Sequence, residues 1–225
     1  MLDNPAWYSL TGPHAHFAQA NGSARRYHPD VSVFVGLPDD RDERVWADLA
    51  GLVGPGAEIP LTGAEVAPPP DWEPVAKGTG VQMVDDGIDA RPDPEAVVLG
   101  AADAAEMARL VARTNPGPWR PRTFELGTYL GIRRDGRLVA MAGERLHPPG
   151  WTEISAVCTD AGHRGQGLAG RLVRAVAHNI RSRGDQVLLH AAASNTNAIR
   201  LYRQLGFRLR RETTFAVYRT PAQSS

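Results

Sequence analysis

The chain has 225 residues, 42% of them hydrophobic, and its 25 basic side chains are matched by 25 acidic ones. That is ample for a packed core, and the balanced charge excludes a bulk attraction to nucleic acid or anionic membrane. No apolar run approaches the roughly 20 residues that span a bilayer, and Met1-Leu2-Asp3-Asn4-Pro5 lacks the basic and apolar regions of a signal peptide, so the expected address is the cytoplasm.

From Trp7 to Gln82 the chain is punctuated by Gly-Pro and Pro-Gly pairs and by Pro68-Pro69-Pro70, which set loops between short elements. Val31–Val35 reads as a strand, Glu43–Leu52 as a helix, and Glu58–Leu61 and Val75–Val84 as further strands. His14 and His16 invite a metal, but no acidic or thiol ligand is spaced beside them, and a solvated loop is the simpler expectation. Asp85-Asp86-Gly87 and Arg91-Pro92-Asp93-Pro94 form a polar connector, which places a boundary between an N-terminal α/β region, 1–93, and a second region, 94–225.

In the second region Val97–Leu99 predicts a strand. Asp103 is positioned to cap a helix carrying Met107, Leu110 and Val111, which Pro116-Gly117-Pro118 stops. Tyr129–Arg133 and Leu138–Leu146 flank the turn Arg134-Asp135-Gly136-Arg137, and Trp151–Thr159 continues the meander. Leu168, Leu172, Val173, Val176 and Ile180 make the apolar stripe of a helix that Gly184 ends. Gln186–Ala193 is the next strand, and Phe207–Arg211 with Thr214–Arg219 predicts a closing pair. Cys158, the single cysteine, excludes an internal disulfide and a thiolate metal cluster; it is either a core residue or a nucleophile.

The stretch His163-Arg164-Gly165-Gln166-Gly167-Leu168-Ala169 carries the chemistry. Its glycines let a phosphate approach the main chain, and the first-turn N–H groups of the following helix, with the positive end of its dipole, suit a pyrophosphate. A dinucleotide fold would want its first glycine directly after the strand and an acidic residue ending the next one. Here Asp160–Arg164 intervene, and the next strand carries His190.

Arg164-Gly165-Gln166-Gly167-Leu168-Ala169 resembles the Arg/Gln-x-x-Gly-x-Gly/Ala loop of the GNAT superfamily of acyl-CoA-dependent N-acyltransferases. Asn195-Thr196-Asn197-Ala198-Ile199-Arg200-Leu201-Tyr202-Arg203-Gln204-Leu205-Gly206-Phe207 is similar to that family's Asn-x-x-Ala-x-x-Leu-Tyr-x-x-x-Gly-Phe. The likeness covers about Val97–Arg219 and implies a mixed, mostly antiparallel α/β (α+β) sheet with helices on both faces and an opening where two central strands splay. Residues 1–93 are compatible with a degenerate second copy.

The resemblance implies acetyl-CoA as acyl donor, no metal, and transfer to an amine without a covalent intermediate. Backbone amides of Val157, Cys158 and Thr159 would hold the acyl carbonyl, and Arg164, Gly165, Gln166, Gly167, Leu168 and Ala169 the pyrophosphate. Tyr202 matches the family's general acid, against a reading as a core tyrosine beside Leu201 and Leu205. For the base, His190, whose type titrates near neutrality, competes with Glu153 and, further back, Glu144. Asn195 either bonds a pantetheine-like arm or turns the chain, and Asn197 is expected to cap the short helix. The loop with Arg120, Arg122, Phe124 and Glu125 is the expected acceptor clamp for a small amine-bearing acid. A small-molecule amine is thus the expected partner, with a protein N-terminus or lysine, or a non-catalytic acyl-CoA sensor, as alternatives; a homodimer is compatible with the resemblance.

Overall fold

The structure, a computed structural model, describes residues 1–63 and 67–222. Helix α1 (Pro5–Leu10) leads into β1 (Ala18–Asn21), β2 (Ala24–Tyr27) and β3 (Val35–Gly36), which form a small antiparallel sheet. Helix α2 (Glu43–Val53), strands β4 (Glu58–Gly63), β5 (Glu73–Asp85) and β6 (Val97–Leu99), and helix α3 (Ala104–Thr114) follow. The remainder is β7 (Tyr129–Arg134), β8 (Arg137–Glu144), β9 (Trp151–Thr159), α4 (Leu168–Ser182), β10 (Gln186–Ala192), α5 (Thr196–Leu205) and β11 (Phe207–Arg219). The main sheet has the order β4-β11-β5-β10-β9-β8-β7-β6, antiparallel throughout except for the β9–β10 pair.

The elements form for local reasons. Asp42 caps α2 by accepting the Val45 N–H at 3.1 Å. Asp135 and Gly136, both with positive φ, make the tight turn between β7 and β8. Helix α4 lays Leu168, Leu172, Val173, Val176 and Ile180, all at most 2% exposed, against Leu130, Ile132 and Ile154 of the sheet. Truncating one of these leucines to alanine costs about 2–5 kcal/mol. On the other face α3 buries Met107 and Leu110 with Tyr129 and Met141.

Two expectations are corrected. The closing strand pair is one strand: β11 runs unbroken from Phe207 to Arg219, and its inner neighbour is β5, from the N-terminal side of the connector. The sheet therefore crosses the boundary expected at residue 93, a long-range pairing that no local pattern announces. Val31–Val35 is mostly not strand; Val31 and Phe34 are buried in a loop, packed with Leu10, Tyr27, Leu126 and Leu146. Helix α1 and the β1–β2 hairpin, which turns at Gly22, were not anticipated from the sequence.

Candidate active site

The pairing of β9 with β10 ends at Ile154 and Leu189, while β10 stays with β5 as far as Ala192. The two parallel strands part beyond that point, opening the sheet. On its other side β9 carries a bulge: the register steps from Met141–Cys158 to Gly143–Ser155, leaving Ala156 and Val157 opposite Ala142. Ala156 sits at φ +53, a left-handed conformation costing a non-glycine residue about 1–2 kcal/mol, which re-aims the backbone of the next residues. A cavity of about 1060 Å³ fills the opening.

At one end of this cavity lies the glycine loop. Gly167 is the N-cap of α4 at φ +74, a conformation that favours glycine, and open space faces a Cβ built at either Gly165 or Gly167. His163, Arg164, Gly165 and Gly167–Gly170 line the wall, whereas Gln166 is exposed and does not. Among the described residues, two buried polar atoms of the wall residues lack a partner, Thr159 Oγ1 and His163 Nδ1. Backbone donors at a helix N-terminus and these free polar atoms fit a pyrophosphate followed by an amide-bearing arm.

Helix α5 brings Tyr202 to the same cavity. Burial pushes its hydroxyl up to about 12, with Arg145 opposing and Cys158 adding to the shift, so it stays protonated at neutral pH. Burial likewise pushes the Cys158 thiol up to about 11, which fits a core residue better than a nucleophile. The expected cap moves by two residues. Asn195 is the N-cap, accepting the Ala198 N–H at 3.1 Å, while Asn197 lies inside the helix and accepts from Arg200. Both line the cavity. Gly206 ends α5 at φ +101, and a Cβ there would meet the Gly87 backbone at 2.9 Å.

The competing bases form one unit. His190 Nδ1 is 2.7 Å from Glu153 Oε1, and Glu153 also accepts two bonds from Arg145, at 2.9 and 2.5 Å. Burial alone would raise the Glu153 carboxyl, but Arg145 and then His190 outweigh it and hold the group well below the usual carboxylate range. Gln82 sets the tautomer of His190. Its Oε1 accepts from Arg210 and its Nε2 donates to the Leu2 carbonyl, so that amide nitrogen, 3.0 Å from His190 Nε2, is also a donor there. His190 Nε2 is therefore the acceptor, and Nδ1–H donates to Glu153. Glu144, also buried, is held by Arg183 and does not line the cavity; burial raises its pKa, against Arg183.

The residues expected to clamp the acceptor do not reach the cavity. Arg120, Arg122, Phe124 and Glu125 are absent from the cavity wall. Arg122 and Glu125 pair with each other at 2.7 and 2.8 Å, and Phe124 packs with the α3 core. The loop instead anchors the N-terminal region: the Arg122 N–H donates to Asp30 O, and the Thr123 hydroxyl to Val31 O. His14 is not solvated. It is 4% exposed, between the Tyr27 hydroxyl and the Leu126 carbonyl, while His16 is exposed. The far end of the cavity is lined by residues the motifs did not single out, among them Asp3, Phe34, Arg145, Arg211 and Phe215. They come from four separate segments, and no spacing signal joins them.

The FR47-like protein family matches residues 129–216. Over 129 residues the chain is 37% identical to the N-alpha-acetyltransferase RimI of Mycobacterium tuberculosis, which spans 51% of this chain and 80% of that protein. It is 36% identical over 91 residues to the mycothiol acetyltransferase of Thermomonospora curvata, covering 40% of this chain and 29% of that longer relative. A crystal structure from Novosphingobium aromaticivorans, assigned to the GNAT acetyltransferases, superposes with a TM-score of 0.88 at 42% identity, covering 100% of this chain and 99% of the other. With 18% identity and a TM-score of 0.61, the GCN5-related N-acetyltransferase of Kribbella flavida shares the fold over 96% of each chain. Sheet, glycine loop and relatives agree: the chain belongs to the GNAT family of acetyltransferases.

Proposed function

We propose that the enzyme transfers an acetyl group from acetyl-CoA to the primary amine of a small molecule by direct attack within a ternary complex. The observation that carries this reading is the single cavity running from the Gly165–Gly170 loop, past Tyr202 and the β9 bulge, to His190. The glycine loop and the first turn of α4 hold the pyrophosphate. Backbone amides in Val157–Thr159 stabilise the oxyanion that forms as the amine adds to the thioester carbonyl. His190 Nε2 takes the amine proton once the Gln82 amide yields that position. Glu153 keeps the ring in the correct tautomer and stabilises the imidazolium, with Arg145 holding Glu153 ionised. As the C–S bond breaks, Tyr202 gives its proton to the thiolate.

The test is acetyl-CoA-dependent thiol release against a panel of amines, with Tyr202→Phe alongside. Loss of about 10²–10⁴ in kcat with acetyl-CoA affinity retained supports the acid role. Unchanged turnover removes Tyr202 from the mechanism. Tight CoA binding with no release for any amine would make the protein a sensor. The match to RimI favours one second reading, a protein N-terminus as acceptor, so short peptides belong in the panel.

A further inference from the structure

Two consecutive arginines stand at the far end of the cavity: Arg210 holds the Gln82 amide, and Arg211 lines the wall with no part in the chemistry above. Arg210 and Arg211 are consecutive in β11, and consecutive strand residues normally point to opposite faces. Here they converge: Nη1 of each lies 2.7 Å from the same oxygen, Oδ1 of Asp3. The cause is a register shift, with Leu209 opposite Met83 but Arg211 opposite Gln82, so that Arg210 is the extra residue of a bulge. The bulge turns Arg211 into the cavity wall.

Arg211, Gln82 and His190 stand in one row across β11, β5 and β10. With strands about 4.8 Å apart, the Cα atoms of Arg211 and His190 are roughly 10 Å apart, and an arginine side chain shortens that gap. Among the described residues, Arg145 is neutralised by Glu153, whereas Arg210 and Arg211 share the single carboxylate of Asp3. Two aromatic rings stand at this end, Phe215 with its ring 6.4 Å from His190 and Phe34 beneath the Arg145 guanidinium at 5.0 Å.

We propose that Arg211 is the acceptor-selecting residue, binding the carboxylate of an apolar amine-bearing acid whose amino group faces His190 and whose side chain lies against Phe34 and Phe215. This rests on the acetyltransfer proposed above and names its substrate class. Asp3 holds Arg211 Nη1 and the Glu212 carbonyl holds its Nε, which fixes the guanidinium with Nη2 to meet a carboxylate, and a site built to bond that group discriminates against acceptors lacking it.

The test measures thiol release from acetyl-CoA with leucine and phenylalanine, their carboxamides, their decarboxylated amines, and dipeptides beginning with the same residues. Wild-type enzyme is expected to favour the acids by about tenfold or more in kcat/KM; Arg211→Gln lowers the acids by a similar factor and leaves the carboxamides within about twofold, while Arg211→Lys restores part of the preference. Equal use of carboxamides, preference for dipeptides, or an equal loss on every acceptor in Arg211→Gln overturns the carboxylate site while leaving acetyltransfer standing. Acetyl-CoA binding with no release from any amine overturns both.

Discussion

The two ends of the cavity are built in opposite ways. The end proposed to hold the donor is built from β9, the glycine loop, α4 and, after β10, α5, and it presents mainly backbone and one tyrosine. The end proposed to receive the acceptor gathers Asp3, Phe34, Gln82, Arg145, His190 and Arg211, most of them joined in a side-chain network. A backbone site needs only the right local conformation, so a short motif carries it. A side-chain network needs distant strands in register, so it changes whenever the strands around it change. The donor chemistry can stay constant while the acceptor changes, consistent with relatives named for such different acceptors as RimI and mycothiol acetyltransferase.

Substitutions can separate the two ends. The largest loss of stability is expected at Glu153→Leu, which leaves the Arg145 guanidinium, only 15% exposed, without its carboxylate. Breaking such a buried pair costs about 3–5 kcal/mol, read as a lower midpoint in urea unfolding. An unchanged midpoint would mean that the network is not under load. At the donor end, Gly167→Asp places a carboxylate beside the expected pyrophosphate in a left-handed position; acetyl-CoA should bind on the order of 100-fold more weakly by calorimetry. Undiminished affinity would move the phosphates elsewhere.

The seam between the N-terminal region and the rest should fail first in acid. His14 and His147 stack with ring centres 4.5 Å apart. Burial, then each other's proximity for His14 and Arg183 for His147, lower them from the ordinary 6.5 to about 3 and about 4. His14 faces the Tyr27 hydroxyl, the Leu126 carbonyl and His16, and His147 faces Glu144, Arg183, Asp185 and, more distantly, Glu153. Both are more basic unfolded than folded, so their contribution is whole above pH 6.5 and is lost as the pH falls toward about 4 and about 3. At pH 5 the loss is about 2 kcal/mol per histidine, and a His147→Gln variant should show a shallower fall in melting temperature between pH 7 and 5. The smallest effect is expected at Arg122→Ala. Its exposed pair with Glu125 is screened by solvent, so the melting temperature should barely move and acceptor KM should stay within about twofold; a large rise in KM would return the acceptor to that loop.

What could be read from the sequence followed the range of the interactions. The stripe of α4, the turn at Asp135-Gly136, the left-handed stop at Gly206 and the tyrosine at 202 were legible, since each is dictated within a few residues by helical period, backbone conformation or motif spacing. Asn195 and Asn197 were both recognised as important, but which one caps depends on where the strand releases the chain. The sequence by itself determined the glycine loop and the helix it opens, because the turn and its unpaired backbone donors are set within a few residues. Only the tertiary structure decided that β5 enters the sheet beside β11, that His190 and Glu153 are hydrogen-bonded to each other, and that Arg211 and not Arg122 lines the cavity. Those outcomes depend on strand register and on burial shared among residues as much as 208 positions apart, information that no local window of the chain contains.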